Sequence, residues 1–294
     1  MPDIAAPIVT RLIDTPLAVG ESIVWDQQGQ CLWFVDILAP AIFRLDPGSR
    51  ALERWEMPAA IGSLGLCADG RLVVALRTGV HLFEPQSGAL EFLVHPEPDR
   101  PGNRLNDGKV GPDGCFWVGS MDENTPRQKT GALYRVTPQG RVDRKVEGYA
   151  VSNGLAWSPD GRVMYHSDST AGIIEAWDFD VHTGALADHR VLATLTNDEG
   201  RPDGAAVDVE GAYWSAGPSA ACVNRFSPQG ALLSKLPFPV PGPTMPCFAE
   251  RHLYVTSLRE GRSPEALQQH PTLGGLFRTD APVLGAPVAL FADA

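Results

Sequence analysis

Four oxygen-bearing side chains stand at one recurring place in this sequence. Glu21, Asn106, Asn153 and Asp203 each lie eleven or twelve residues before a large strand residue, namely Trp33, Trp117, Tyr165 and Trp214. Their contexts share a grammar: Gly20-Glu21-Ser22, Leu105-Asn106-Asp107-Gly108, Ser152-Asn153-Gly154 and Pro202-Asp203-Gly204, each running into apolar residues. The equivalent places elsewhere hold Gly62 and Pro243, the latter followed by Thr244. Asn, Asp and Gly populate turns in any protein, but a register shared by four copies favours a common role. Oxygen-only ligands from separate segments suit a hard divalent cation such as Ca2+, Mg2+ or Mn2+, with water or substrate filling the remaining positions. Two carboxylates, Glu21 and Asp203, held close without a cation would repel, and one would stay protonated. With a cation such a site can polarise a carbonyl while one carboxylate handles a proton, the chemistry of metal-assisted hydrolysis. No His-x-His, His-Glu-x-x-His or Gly-x-Ser-x-Gly element offers another hydrolytic route.

Arg104, two residues before Asn106, reaches toward the same mouth, where a guanidinium can fork onto a carboxylate or a pair of hydroxyls. The segment Met121-Asp122-Glu123-Asn124 is long enough to form part of a pocket rim. Spacing leaves open which of Asp122, Glu123 and Asn124 faces inward. The seven histidines show no metal-ligand spacing, and His166, beside Tyr165, reads as a packed or hydrogen-bonded residue.

The elements that must position these residues are repeats. Leu32-Trp33-Phe34-Val35-Asp36, Leu72-Val73-Val74-Ala75-Leu76, Phe116-Trp117-Val118-Gly119-Ser120, Met164-Tyr165-His166-Ser167-Asp168, Tyr213-Trp214-Ser215-Ala216-Gly217 and Leu253-Tyr254-Val255-Thr256-Ser257 align on their second residues, with gaps of 40, 44, 48, 49 and 40. Each but the last follows a turn such as Pro112-Asp113-Gly114 or Pro159-Asp160-Gly161, which reads as a hairpin. A third strand with apolar and polar residues alternating follows each, as in Leu133-Tyr134-Arg135-Val136. A short fourth strand leads to the next copy, as in Ala89-Leu90-Glu91-Phe92-Leu93. Six such sheets predict an all-β, six-bladed β-propeller with four antiparallel strands per blade, over residues 1–294 as a single domain. Residues 8–13 and Val288-Ala289-Leu290-Phe291 are expected to share one closing blade, so that N- and C-terminal strands close the ring. Trp25, Trp33, Trp117, Trp157 and Trp214 fall at repeat-equivalent strand positions and read as core.

The balance of charge narrows the partners. Lys and Arg number 24 against 35 Asp and Glu, a net charge of −11 with the acids scattered, which argues against a nucleic-acid partner. No run of eighteen apolar residues suggests a membrane span, and the N-terminal residues, with Asp3, carry no basic-then-apolar signal, so a cytoplasmic location is expected. Five widely spaced cysteines without a Cys-x-x-Cys pair read as free, mostly buried thiols. The sequence does not fix oligomeric state; a monomer or weak homo-oligomer is the expectation.

Several runs, G-E-S-I-V-W, L-W-F-V-D-I, R-L-N-D-G-K-V, S-N-G-L-A-W-S-P-D-G, M-Y-H-S-D-S and P-D-G-A-A-V-D, resemble the SMP-30/gluconolactonase/regucalcin family, in order and over nearly the whole chain. The resemblance implies a six-bladed propeller with one divalent cation on its axis and a lactonase activity on sugar lactones. It places the metal ligands on Glu21, Asn153 and Asp203, and substrate contacts on Arg104 and Asn106. Asp203 would serve as acid and base as well as ligand. A substrate-contacting glutamate of animal members aligns with Asn124, with Glu123 adjacent. The cofactor expected is one divalent cation, Ca2+, Mg2+, Mn2+ or Zn2+. The implied mechanism is attack of water on a lactone carbonyl polarised by the cation, assisted by Asp203, which then protonates the leaving alkoxide to give the aldonic acid. Two other readings keep the propeller: a metal-dependent hydrolase of a different ester class, such as phosphotriesters, or a non-catalytic binding platform braced by its cation.

Overall fold

The structure is a computed structural model that describes residues 8–292. Asp3 and the reading attached to it lie outside the described residues. Six four-stranded antiparallel sheets form a six-bladed β-propeller. Blade one comprises Gly20–Asp26, Cys31–Asp36, Ala41–Leu45 and Leu52–Glu56; blade two Ile61–Leu66, Leu72–Leu76, Gly79–Glu84 and Ala89–Val94. Blade three comprises Asn103–Val110, Phe116–Asp122, Gly131–Val136 and Val142–Tyr149; blade four Ser152–Trp157, Val163–Asp168, Ile173–Asp180 and Ala185–Thr194. Blade five comprises Ala205–Val207, Tyr213–Gly217, Cys222–Phe226 and Leu232–Pro237; blade six Pro243–Ala249, His252–Ser257, Leu276–Asp280 and Thr10–Arg11.

Strand character follows radial position. Second strands such as Cys31–Asp36 and Leu72–Leu76 are buried along their whole length, so they read as continuous apolar runs. Outermost strands such as Leu232–Pro237 are largely exposed and polar-tolerant. Apolar faces of neighbouring blades meet between the sheets: the ring of Trp117 lies edge-on to Trp157 at 6.0 Å and to Phe179 at 5.5 Å. All five predicted core tryptophans are buried, and the five cysteines are buried and form no disulfide among the described residues. Turns are held by the acids that the sequence places there; Asp26 Oδ1 accepts the backbone N–H of Gln28 and Gly29 at 2.9 and 2.8 Å. The one helix among the described residues, Pro264–Gln269, is capped by Ser263, and none is long and apolar enough to cross a membrane.

Closure departs from expectation in one respect. The N-terminal strand does close the ring, with Thr10 opposite Arg278, Arg11 opposite Phe277, and Leu12 N–H donating to Leu276 O at 2.8 Å. Val288–Ala289–Leu290–Phe291, however, is not in that blade. The chain leaves blade six after Asp280 and runs as a strap under the propeller. Ala286 N–H donates to Val207 O at 2.9 Å, Phe291 N–H to Leu66 O at 2.8 Å, and Ala292 N–H to Gly114 O at 3.0 Å. Leu276–Asp280 already supplies the third strand of blade six and Thr10–Arg11 the fourth, so no edge is left for a further C-terminal strand. Phe291 instead buries its ring beneath blades two and three, at 2% exposure.

Candidate functional site

The innermost strands begin at one face of the ring, and in every blade but the fifth the pairing carries an irregularity near the start of the strand. Pairing in blade one slips between Glu21 and Val24, in blade four between Asn153 and Ala156, and in blade three between Leu105 and Gly108. A bulge of this kind bends the strand and re-aims the residues beside it. In blades one and four the residue after the candidate ligand has positive φ, 49° at Ser22 and 67° at Gly154. Blade three is offset: Leu105 occupies the paired position that Glu21 and Asn153 hold, and Asn106 and Asp107 form the bulge itself. Two aspartates at the ends of second strands hold the entering backbone. Asp36 accepts N–H groups of Ala18 and Val19 at 2.7 and 3.0 Å, and Asp168 accepts that of Ala150 at 2.9 Å. Blade two carries no side chain at this level because there is no room. A Cβ on Gly62 would lie 2.5 and 2.6 Å from the carbonyl oxygens of Leu105 and Asn106.

The structure links the candidate residues into one hydrogen-bonded column from rim to axis. Arg104 Nε stands 3.6 Å from Glu123 Oε1, and Arg104 Nη1 donates to Asn106 Oδ1 at 2.7 Å. Asn106 Nδ2 donates to Ser152 O at 2.8 Å and to Asn153 Oδ1 at 3.1 Å. Asn153 Nδ2 in turn donates to Asp203 Oδ1 and to Ser169 Oγ, both at 2.8 Å. Glu21 is buried and accepts Ser22 N–H at 2.8 Å.

Charge in this column is poorly solvated. Burial, then the negative charges of Asp203 and Asp107, raise the Glu21 carboxyl well above its ordinary range. Asp203 is pushed up to about 7, first by burial and then by Asp107. Burial lowers the Arg104 guanidinium to about 10, against the pull of Glu123, Glu21 and Asp203. Two carboxyls that resist ionisation beside a carboxamide form an oxygen donor set fit for a divalent cation, whose charge would remove their penalty. Among the described residues no group of three or more His, Cys, Asp or Glu forms such a site, so a cation here would depend on carboxamide or other oxygen ligands besides the two carboxylates.

The rim resolves what spacing left open. Glu123 joins the column through Arg104 and also pairs with Arg77, Nη1 to Oε2 at 2.9 Å. Asp122 turns back on its own loop, accepting the N–H of Asn124 at 2.9 Å and of Gln128 at 2.6 Å. Asn124 is exposed and donates its carboxamide to Asp122 Oδ1 at 2.7 Å, so it is not brought into the column. His166 is buried with Nε2 2.6 Å from Ser152 Oγ, and burial lowers it to about 3, which keeps it neutral beside the site.

Sequence reasoning passed over Asp107. It is buried, its Oδ2 accepts Leu155 N–H at 3.0 Å, its Oδ1 has no hydrogen-bond partner, and burial raises its carboxyl. The only signal for it is its place one residue beyond Asn106, which the bulge turns toward the axis. Ser169 and Arg77 were likewise invisible, since neither lies in the recurring register.

Residues 19–259 match the SMP-30/Gluconolactonase/LRE-like region. The chain is 37% identical over 286 residues to 6-deoxy-6-sulfogluconolactonase of Pseudomonas putida, covering 96% of this chain and 97% of the relative. It is 34% identical to human regucalcin over 267 residues, covering 88% and 89% of the two chains. Among solved structures it superposes on a calcium-binding protein, regucalcin, from Agrobacterium tumefaciens with a TM-score of 0.91 and 26% identity, over 97% of this chain and 98% of that one. A propeller whose family match spans the inner strands that carry Glu21, Asn106 and Asn153 and the segment with Asp203 that leads into the fifth blade is thereby placed: the chain belongs to the SMP-30/gluconolactonase/LRE-like family.

Proposed function

We propose that this protein is a lactonase that opens sugar lactones to their aldonic acids at the axial column. The observation that carries the reading is the pairing of two ionisation-resistant carboxyls, Glu21 and Asp203, with a polar arm, Asn106 and Arg104, that reaches the rim. The names of two relatives support it: one is a sulfogluconolactonase, and a structural neighbour is described as calcium-binding. Glu21, Asn153 and Asp203 would hold one divalent cation. That ion supplies charge to offset the two carboxylates and to polarise a lactone carbonyl.

The chain's own residues do the rest. Arg104 presents N–H donors to ring hydroxyls, and Asn106, whose own N–H groups are held by Ser152 O and Asn153 Oδ1, fixes that guanidinium through its Oδ1 and so orients the lactone toward the axis. Asp203, the carboxylate nearest the mouth with part of its surface open, accepts a proton from water as that water attacks the carbonyl carbon. As the ring C–O bond breaks, Asp203 returns the proton to the departing alkoxide oxygen, leaving the open hydroxy acid. Glu123 steadies Arg104 from the rim. The reading is tested by acid release from a panel of aldonolactones, using protein stripped of metal and refilled with one cation at a time. Hydrolysis restored by at least one cation and lost in Asp203→Asn is expected. Full hydrolysis by protein shown to be metal-free, or an unchanged rate in Asp203→Asn, refutes it.

A further inference from the structure

The inner strands that present the candidate site continue past it toward the opposite face. Three residues beyond Asn153, Ala156 stands about 10 Å further along the axis at ordinary strand rise. At this depth a cavity of about 270 Å3 opens between the strands and the C-terminal strap, floored by Ala286 to Ala289. Ile23, Val110, Ala206 and Phe248 make its wall largely apolar, and among the described residues on that wall Lys109 is the single charged one. The volume falls just under the roughly 300 Å3 at which drug-sized pockets begin, so a small occupant is implied.

The wall is rich in donors and poor in acceptors. Lys109 Nζ donates to Ala205 O at 2.7 Å, the one hydrogen bond found for an ammonium with three N–H groups. Among the described residues no Asp or Glu lines the cavity. The Cys247 thiol on its wall is pushed by burial up to about 12 and adds no negative charge. Asp107, two residues earlier on the same strand, partly offsets the burial that lowers the Lys109 ammonium, but its Oδ2 is held by Leu155 N–H. Donors left unsatisfied in an apolar setting are costly, and an anionic acceptor is the group that would satisfy them best.

We infer that this axial cavity is a second binding site, for a small monocarboxylate with a short apolar body, its carboxylate on Lys109 and its body against Ile23, Ala206 and Phe248. The site lies on the far side of the axis from the proposed lactonase centre and goes beyond that activity. It is tested by calorimetric titration of the metal-loaded protein with hexanoate and, as the uncharged counterpart, 1-hexanol. Hexanoate is expected to bind at least about ten-fold more tightly than hexanol, the worth of one charge-assisted hydrogen bond. Lys109→Met should erase that preference. Ala286→Phe fills the cavity from the strap and leaves Lys109 in place, so it tests the site even if Lys109→Met fails to fold; it should abolish hexanoate binding. Equal affinity for hexanoate and hexanol, no binding of hexanoate, or hexanoate binding untouched by Ala286→Phe would each overturn the assignment, the last by moving the carboxylate to the opposite face.

Discussion

Removing the charge of Asp203 should make the metal-free protein more stable and the enzyme inactive. In the fold this carboxyl is raised from 3.8 to about 7, chiefly by burial. Because the folded value lies above the unfolded one, the folded state holds a proton that the unfolded state has released between about pH 4 and 7. Stability is therefore fullest below pH 4, falls as pH rises through this window, and levels off above about 7. A shift of about three units corresponds to about 4 kcal/mol at most, a large share of the 5–15 kcal/mol that typically separates folded from unfolded states. Asp203→Asn removes the titration, and the new side chain still offers an oxygen to Asn153 Nδ2. Urea denaturation of chelator-treated wild type and variant at intervals from pH 4 to 8 reads both. The variant should equal or trail the wild type near pH 4 and exceed it by up to about 4 kcal/mol at pH 8. Saturating divalent cation should reverse the order at pH 8, because it stabilises the wild type selectively. A wild type whose metal-free stability does not fall between pH 4 and 7, or a variant with the same slope, would refute the reasoning.

Three other perturbations follow from the geometry. Arg104→Lys keeps the charge but cannot donate to both Asn106 and Leu105 O while facing Glu123; steady-state kinetics on a hydrolysed lactone should show KM rising about ten-fold or more, with a smaller change in kcat. Gly62→Ala places a methyl against two backbone oxygens of blade three; about 1–3 kcal/mol should be lost in denaturant unfolding, and turnover should fall further than stability because Asn106 is displaced. Phe291→Ala empties the strap's anchor on the opposite face and should cost about 3–5 kcal/mol in unfolding free energy, leaving KM for lactone unchanged.

Much of this architecture was legible because a propeller repeats its local rules. A large residue shortly after a tight turn marked the second strand in the first five blades, and the six aligned segments correspond to six observed sheets. The candidate residues stand out in the sequence for the same reason: Glu21, Asn106, Asn153 and Asp203 are departures from an apolar pattern at one register. What escaped notice depends on detail finer than the repeat. In blade three the bulge takes in Asn106 itself and Asp107 with it, and no composition or spacing reports a bulge. The choice among Asp122, Glu123 and Asn124 is made by a loop whose path is set by hydrogen bonds to Asp122 itself. The run at 288–291 looked like another strand of blade six because four apolar residues carry no address; it and the residue after it hydrogen-bond to backbone groups of Leu66, Ala68 and Gly114, blades away in sequence.

The pairing of Thr10 with Arg278 has a consequence for the order in which the molecule is made. Each blade from one to five is local, so its sheet can form soon after its residues emerge during synthesis. Blade six cannot: its outer strand waits from the beginning of the chain for a partner that arrives almost at the end, and the strap that follows can dock only after that. Until then the nascent chain is an open arc, with Glu21 in its first blade and Asp203 leading into its fifth, held apart by whatever splay the gap allows. Such long-range closure is the slow class of folding step. The axial site should thus appear abruptly at the end of folding, and divalent cation, by drawing the first and fifth blades together, would act as a ligand of the closed ring and speed its closing.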